Sequence, residues 1–260
     1  MIKRYKILIT NDDGYEAKGL ISLVKALREM NEVDVTVVAP ANEKSACGHS
    51  LTLTRPLRFV CVDDDFYKLD DGTPSDCVYL ALNSIFDEQK PDLVISGINS
   101  GSNMGEDITY SGTCAGAMEA VLHNVPAIAI SQVMDFKNPA GDFSLARETI
   151  KKLVKKIKDG SFPLPHREFI NINIPPEIKK ADIKITYAGY RCYANDAHLH
   201  RNPRGEEHYW LGLHPLEFRA RDVEHDLSDY EAIEAGFISA TPIQLDLSAY
   251  KSIKKLQEWL

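Results

Sequence analysis

The sequence lacks the features that define several large classes of protein. It has five cysteines, an odd number, and no C-x-x-C pair, so neither a structural zinc site nor a disulfide framework is expected. No apolar run approaches the ~20 residues that a helix needs to cross a bilayer. The N-terminus leads into only a short apolar stretch with an acidic end, which is not the pattern of a signal peptide. These absences predict reduced thiols, no membrane partner and a cytoplasmic location.

The sequence also lacks an excess of positive charge, with 30 Lys and Arg against 38 Asp and Glu. The 260 residues carry a formal net charge of -8 at pH 7, whereas a protein that binds a nucleic-acid polymer needs a basic surface. A small phosphorylated substrate is compatible with this balance, because a bound divalent cation supplies positive charge locally. A dinucleotide-binding oxidoreductase would need G-x-G-x-x-G after its first strand, and that motif is absent.

The sequence does contain an alternation of short apolar strands and amphipathic helices. Strand character is found in 6–10, 35–39, 93–96, 127–131 and 169–174, and helical spacing of apolar residues in 17–30, 75–86, 115–123 and 144–158. Such an alternation predicts a Rossmann-like α/β fold, with a mostly parallel sheet and helices on both faces. We expect a single domain over residues 1–260. Its catalytic core would span about 1–180, and a C-terminal arm with a β-hairpin and a closing helix about 181–260.

Polar clusters follow three of the predicted strands, at the sheet edge where such folds bind ligands. Asp12 and Asp13 come directly after the first strand. Adjacent carboxylates repel one another unless a cation lies beside them, and Mg²⁺ and Mn²⁺ prefer oxygen ligands of this kind. Taken alone, the pair is equally compatible with a solvated turn.

Two further clusters add neutral donors. The long loop after the second strand carries Ser45, whose hydroxyl suits a metal or a phosphate. The pattern G-x-N-x-G-x-N-x-G then places Asn99 and Asn103 among glycines, where backbone and ligand can approach closely. Ser111-Gly112-Thr113 opens the next helix, and a helix N-terminus is an anion site. The ordinary alternative is that Ser111 is only an N-cap.

Taken together, these motifs resemble those of a known family. The strings ITNDDG, VVAPANEKSACGHS, DDGTPSDC, SGINSGSNMG and YSGTCAGAMEA, with GFISATP near the end, are similar in order to the signatures of the SurE (survival protein) family. The resemblance implies a phosphatase that hydrolyses nucleoside 5′-monophosphates and often 3′-monophosphates, with short-chain polyphosphate as a further substrate. It also implies one Mg²⁺ or Mn²⁺ ion per subunit, and a homodimer or homotetramer that exchanges the C-terminal arm.

Residue roles follow from the same resemblance. It makes Asp12 and Asp13 the catalytic residues. The metal ligands would be Asp12, Asp13, Ser45 and Asn99, and the phosphate-binding residues Asn103, Ser111, Gly112 and Thr113. Asp13 would orient or deprotonate the attacking water, although direct attack by an aspartate is left open.

Other interpretations compete with this one. A haloacid-dehalogenase-type phosphatase would need its aspartates separated by one residue, and here they are adjacent. A non-catalytic nucleotide or metal sensor on the same fold would bind without releasing phosphate. The histidines of the C-terminal third (His198, His200, His208 and His214) are expected on a solvated hairpin rather than in a metal site. His49 either approaches the pocket or makes a structural hydrogen bond, and Cys47 is expected to be a weakly polar filler.

Overall fold

Most of the predicted strands lie in one ten-stranded sheet. The computed structural model describes residues 4–134, 142–176, 182–219 and 226–260, with side chains described outside 191–196 and 213–219. The strands of the sheet are β1 (Tyr5–Thr10), β2 (Val33–Pro40), β3 (Arg58–Asp63), β4 (Phe66–Asp70), β5 (Leu93–Ser100), β6 (Ala127–Gln132), β7 (Glu168–Ile174), β8 (Ile183–Tyr187), β11 (Leu227–Ser228) and β12 (Ile238–Gln244). Two longer strands, β9 (Tyr190–Arg201) and β10 (Glu207–Arg219), form a separate antiparallel hairpin.

The order of strands across the sheet is β11-β8-β12-β7-β6-β5-β1-β2-β4-β3. Every neighbouring pair from β7 to β4 is parallel, while β3 and β12 pair antiparallel with β4 and β7. The helices are α1 (Lys18–Arg28), α2 (Pro74–Leu80), α3 (Gly112–Leu122), α4 (Ser144–Asp159), α5 (Asp229–Glu234) and α6 (Tyr250–Trp259). The predicted fold class, a mostly parallel sheet flanked by helices, is therefore confirmed.

Apolar side chains bury both faces of this sheet. Successive side chains of a strand point to opposite faces, so Ile7 and Ile9 of β1 face one core and Leu8 faces the other. α1 and α4 cover the first face, where Leu23 and Ile150 are fully buried. The second face is covered by α2 and α3. This double cover explains why the central strands are apolar on both sides.

The C-terminal third contributes strands to the main sheet and also elements outside it. β8 and β12 belong to the main sheet, and β12 lies between β8 and β7. The elements that stand apart from the sheet are the β9–β10 hairpin and α6, a helix without a buried residue.

The thiols and the helix lengths bear on two further expectations. The cysteines with described side chains are free thiols: Cys47, Cys61, Cys77 and Cys114. Within the described ranges, no helix is both long enough and apolar enough to cross a membrane.

Candidate active site

The two adjacent aspartates lie at the carboxyl end of β1, in the middle of the sheet. β1 has β2 on one side and β5 on the other, so the loops after all three strands meet at this edge. The side chain of Asn11 donates a hydrogen bond to the carbonyl of Gly14 at 2.8 Å and closes the turn. Asp12 is buried, with 4% exposure, and Asp13 is partly exposed. The turn therefore directs one carboxylate inward and the other toward the surface.

The loop after β2 folds over Asp12. The backbone N–H of Lys44, the residue before Ser45, donates to the backbone carbonyl of Asp12 at 2.7 Å. The hydroxyl of Ser45 is exposed and donates to Glu43 at 2.8 Å. Cys47, further along the loop, is partly buried, and burial together with the charge of Asp12 raises the pKa of its thiol.

The end of β5 approaches the second aspartate. The N–H of Ser100 donates to Oδ2 of Asp13 at 2.9 Å, so Asn99 lies beside Asp13. The amide of Asn99 donates to the carbonyl of Gly101 at 3.0 Å, which leaves its oxygen pointing away from that bond. The structure thus brings the loops that carry Asp12, Asp13, Ser45 and Asn99 to one edge.

The start of α3 closes the same site from the other side. Ser111 is the N-cap, and its hydroxyl accepts the N–H of Cys114 at 3.0 Å. The hydroxyl of the buried Thr113 donates to Oδ1 of Asp12. A Cβ on Gly112 would lie 2.7 Å from Cβ of Asp12 and 3.1 Å from Sγ of Cys47. Only glycine at this position lets α3, the end of β1 and the loop that carries Cys47 pack together. The N-terminus of α3, a type of backbone that binds anions, therefore lies directly beside Asp12.

Asn103, another predicted phosphate ligand, is bonded within a cluster of buried polar side chains. Its backbone N–H donates to Asn173 at 2.9 Å and its carbonyl accepts from both Asn171 and Asn173. The side-chain amide donates to Ser131 at 2.8 Å. Asn103 is 7% exposed, so this cluster of amides fixes the loop between β5 and α3 from beneath.

Burial dominates the electrostatics of the aspartate pair. Removal from water raises the pKa of Asp12 to about 6, and the bond from Thr113 only partly offsets the effect. Burial likewise raises the pKa of Asp13, against the opposing bond from Ser100. Burial makes the ionised form of both carboxylates unfavourable. A cation bound between them would stabilise that form.

The ligand chemistry of this edge fits a hard divalent cation. Carboxylate, hydroxyl and amide oxygens are the donors that Mg²⁺ and Mn²⁺ prefer. In the described part of the chain, no group of three or more His, Cys, Asp or Glu side chains is arranged to hold a metal ion. A site here would therefore combine the two aspartates with neutral oxygens. The predicted hairpin carries His198, His200 and His208 on facing strands, while the side chain of His214 lies outside the described residues.

Sequence reasoning missed three groups that support the site. Asn171 and Asn173 fall in a segment predicted only as an apolar strand, although polar residues two apart in a buried strand point to one face and signal such a cluster. Asp229 carries no predicted role, yet it accepts the N–H of Gly105 at 2.7 Å and of Gly189 at 3.0 Å. The third group is Glu119, a buried carboxylate on α3 that is bonded to His49 at 2.7 Å; His49 therefore makes the structural hydrogen bond.

Comparisons with known proteins identify the family of the chain. A family model described as "Survival protein SurE" matches residues 7–195. A protein of Sulfurimonas denitrificans named 5′-nucleotidase SurE is 72% identical over 262 residues, which cover 99% of each chain. One from Helicobacter hepaticus with the same name is 59% identical and covers 98% of each. The crystal structure of SurE protein from Aquifex aeolicus matches with a TM-score of 0.81 at 40% identity, covering 98% of this chain and 99% of that one. On these matches, the chain belongs to the SurE family.

Proposed function

We propose that the chain is a metal-dependent phosphomonoesterase that hydrolyses nucleoside 5′-monophosphates to nucleoside and phosphate. The observation that carries this proposal is the contact between Asp12 and the first turn of α3. In this contact Asp12, a proposed metal ligand, lies beside a helix N-terminus, the kind of backbone that binds anions. Hydrolysis of a phosphate monoester would use both a cation and an anion site. The names of the bacterial relatives support nucleotides as the substrate class.

Four residues would hold one divalent ion, Mg²⁺ or Mn²⁺: Asp12, Asp13, Ser45 and Asn99. When bound, such an ion supplies Lewis-acid stabilisation of the phosphate charge. The chain itself fixes the two carboxylates by bonds from Thr113 and from the backbone of Ser100. That rigidity keeps the ligands in place without further reorganisation during turnover.

The phosphate would lie against the start of α3, near Ser111, Gly112 and Thr113. The helix dipole and the N–H groups of its first turn favour an anion there. The hydroxyl of Thr113 is already bonded to Asp12. Thr113 would therefore connect the Asp12 carboxylate to the phosphate-binding residues. Asn103, held by Ser131, would shape the far wall of the pocket.

For the chemical step, Asp13 would orient or deprotonate the water that attacks phosphorus. Its partial exposure lets water reach it, and the bond from Ser100 holds its orientation. The competing route is direct attack by an aspartate. Acid quenching of turnover on phosphate-labelled substrate distinguishes the two routes, because only the second leaves label on the protein.

The test of this function is phosphate release from a substrate panel. Nucleoside 5′-monophosphates should release phosphate in the presence of Mn²⁺, and 3′-monophosphates and short-chain polyphosphate are proposed as additional substrates. Nucleoside di- and triphosphates serve as controls for selectivity. Nucleotide binding without release of phosphate from any of them would instead support a non-catalytic sensor.

The elements outside the sheet support a homodimer or homotetramer formed through the C-terminal arm. On α6, the apolar side chains of Ile253, Leu256 and Trp259 are exposed. The hairpin also exposes Tyr209 and Trp210. Exposed apolar groups in such number are typical of an association surface. Light scattering should give a multiple of the chain mass, and removal of residues 246–260 should lower it.

The location proposed for the protein is the cytoplasm. Free thiols support this proposal, because cysteines in oxidising compartments are commonly paired. Fractionation of cells that express the full chain is the direct test.

A further inference from the structure

A buried carboxylate on α3 is bonded to two histidines. Glu119 is only 4% exposed. One of its oxygens is 2.7 Å from Nε2 of His49, and the other is 3.1 Å from Nε2 of His123. A carboxylate accepts hydrogen bonds, so each imidazole presents its Nε2 proton to this group. Buried charged groups of this kind need such partners.

The two bonds connect different parts of the molecule. His123 follows Glu119 by one helical turn, so its bond is local to the end of α3. His49 is 70 positions away in sequence, in the loop that carries Ser45. The bond from His49 therefore joins that loop to the same helix whose first turn contacts Asp12.

This loop has a conformation that needs support. Ala46 has a φ of +55° and Gly48 a φ of +58°, and the left-handed region is unfavourable for alanine. Backbone bonds hold the loop at Lys44 and at Gly48, whose N–H donates to the carbonyl of Tyr110 at 2.9 Å. His49 adds a side-chain bond to a buried charge, directly after these residues.

We propose that Glu119, acting through His49, is a positioning residue that holds the loop over residues 43–49 and so keeps Ser45 at the metal site. This inference rests on the proposed function in one respect, namely that Ser45 is taken as a metal ligand. Neither Glu119 nor His49 is given contact with substrate. Their effect is on how tightly the ion is held.

The two histidines provide a matched pair of variants. His49→Ala and His123→Ala each remove one partner from the same carboxylate, but only the first releases the loop. The measurement is the Mn²⁺ affinity of chelator-treated full-length protein by calorimetry, together with hydrogen exchange of residues 43–49 in the metal-free state. For His49→Ala we expect about 10-fold weaker Mn²⁺ binding, the loss typical of outer-shell partners, and faster exchange of the loop.

The controls separate positioning from general stability. His123→Ala should bind Mn²⁺ within about 2-fold of wild type, because the loop keeps its bond. His49→Gln, whose amide can still donate to Glu119, should recover most of the affinity. At saturating Mn²⁺, the kcat of His49→Ala should return close to the wild-type value, since the defect lies in holding the ion.

Two outcomes would overturn the inference while leaving the proposed function intact. One is wild-type Mn²⁺ affinity and loop exchange in His49→Ala. The other is an equal loss of affinity in His123→Ala, which would assign the effect to α3 as a whole. A wild-type chain that binds no Mn²⁺ would contradict the proposed function itself and remove the role given to Ser45.

Discussion

The hydroxyl of Thr113, in the first turn of α3, donates a hydrogen bond to Oδ1 of Asp12 at the end of β1. Both side chains are buried. Burial raises the pKa of Asp12 to about 6, and the bond from Thr113 opposes this by stabilising the ionised form. Thr113 thus links the first turn of α3, where the phosphate is proposed to bind, to the Asp12 carboxylate.

Thr113→Val tests this link, because valine keeps the shape and removes only the hydroxyl. A hydrogen bond to a charged group contributes about 1.5–3 kcal/mol, so activity at pH 7 should fall by roughly 10- to 100-fold. The pH at which activity is half maximal should rise. Thr113→Ser, which retains the hydroxyl, should stay within a few-fold of wild type. Equal rates for the Val and Ser variants would show that the hydroxyl does not matter.

Asp13→Asn should abolish most turnover and leave the fold intact. The variant loses the charge that orients or deprotonates the attacking water, an effect of about 100-fold or more. Measured kcat should fall accordingly, while the melting temperature of the metal-free protein changes little. Asp34→Asn is the matched control, since Asp34 lies near the start of β2 in an exposed ion pair with Arg4. Near-normal kcat in Asp13→Asn would remove Asp13 from the mechanism.

Asp12 should destabilise the metal-free protein at neutral pH. The pKa of its carboxyl is about 6 in the folded protein, against an ordinary value of 3.8, so the folded protein binds the proton more tightly than the unfolded chain does. The tighter binding of this proton stabilises the folded protein. That stabilisation is complete below about pH 4 and is lost as pH rises through about 6. In chelator, Asp12→Asn should unfold at a temperature a few degrees higher than wild type at pH 7, with a smaller difference at pH 5.

Addition of Mn²⁺ should reverse this order. An ion that binds only the folded wild-type protein raises its melting temperature, whereas Asp12→Asn should respond weakly. If Asp12→Asn melts below wild type at pH 7 in chelator, burial of the ionised Asp12 carboxylate does not destabilise the folded protein.

Gly112→Ala should damage the site more than the fold. The added Cβ would lie 2.7 Å from Cβ of Asp12, a distance that forces α3 and β1 apart. We expect at least a 10-fold loss of Mn²⁺ affinity, because the carboxylate must move. Calorimetry measures the affinity and circular dichroism the retained fold. Unchanged affinity would mean that Asp12 is not held as closely as described.

The central strands and the helices that cover the sheet could be predicted from the sequence, because their apolar residues follow clear strand and helix spacing. It missed β3 and β4, since most of their side chains are exposed or partly exposed. The site motifs were visible because they lie next to strand ends. Their contacts were not, because 101 residues separate Asp12 from Thr113 and 70 separate Asn103 from Asn173. Only the packing of the elements brings such pairs together.

The most direct test of the central claim is metal add-back. Phosphate release from a nucleoside 5′-monophosphate is measured on chelator-treated wild-type protein as Mn²⁺ or Mg²⁺ is titrated in. We expect negligible release without metal and a saturable return of activity, with about one ion bound per chain at saturation. Full activity in chelator, or no release at any metal concentration from folded protein, would contradict it.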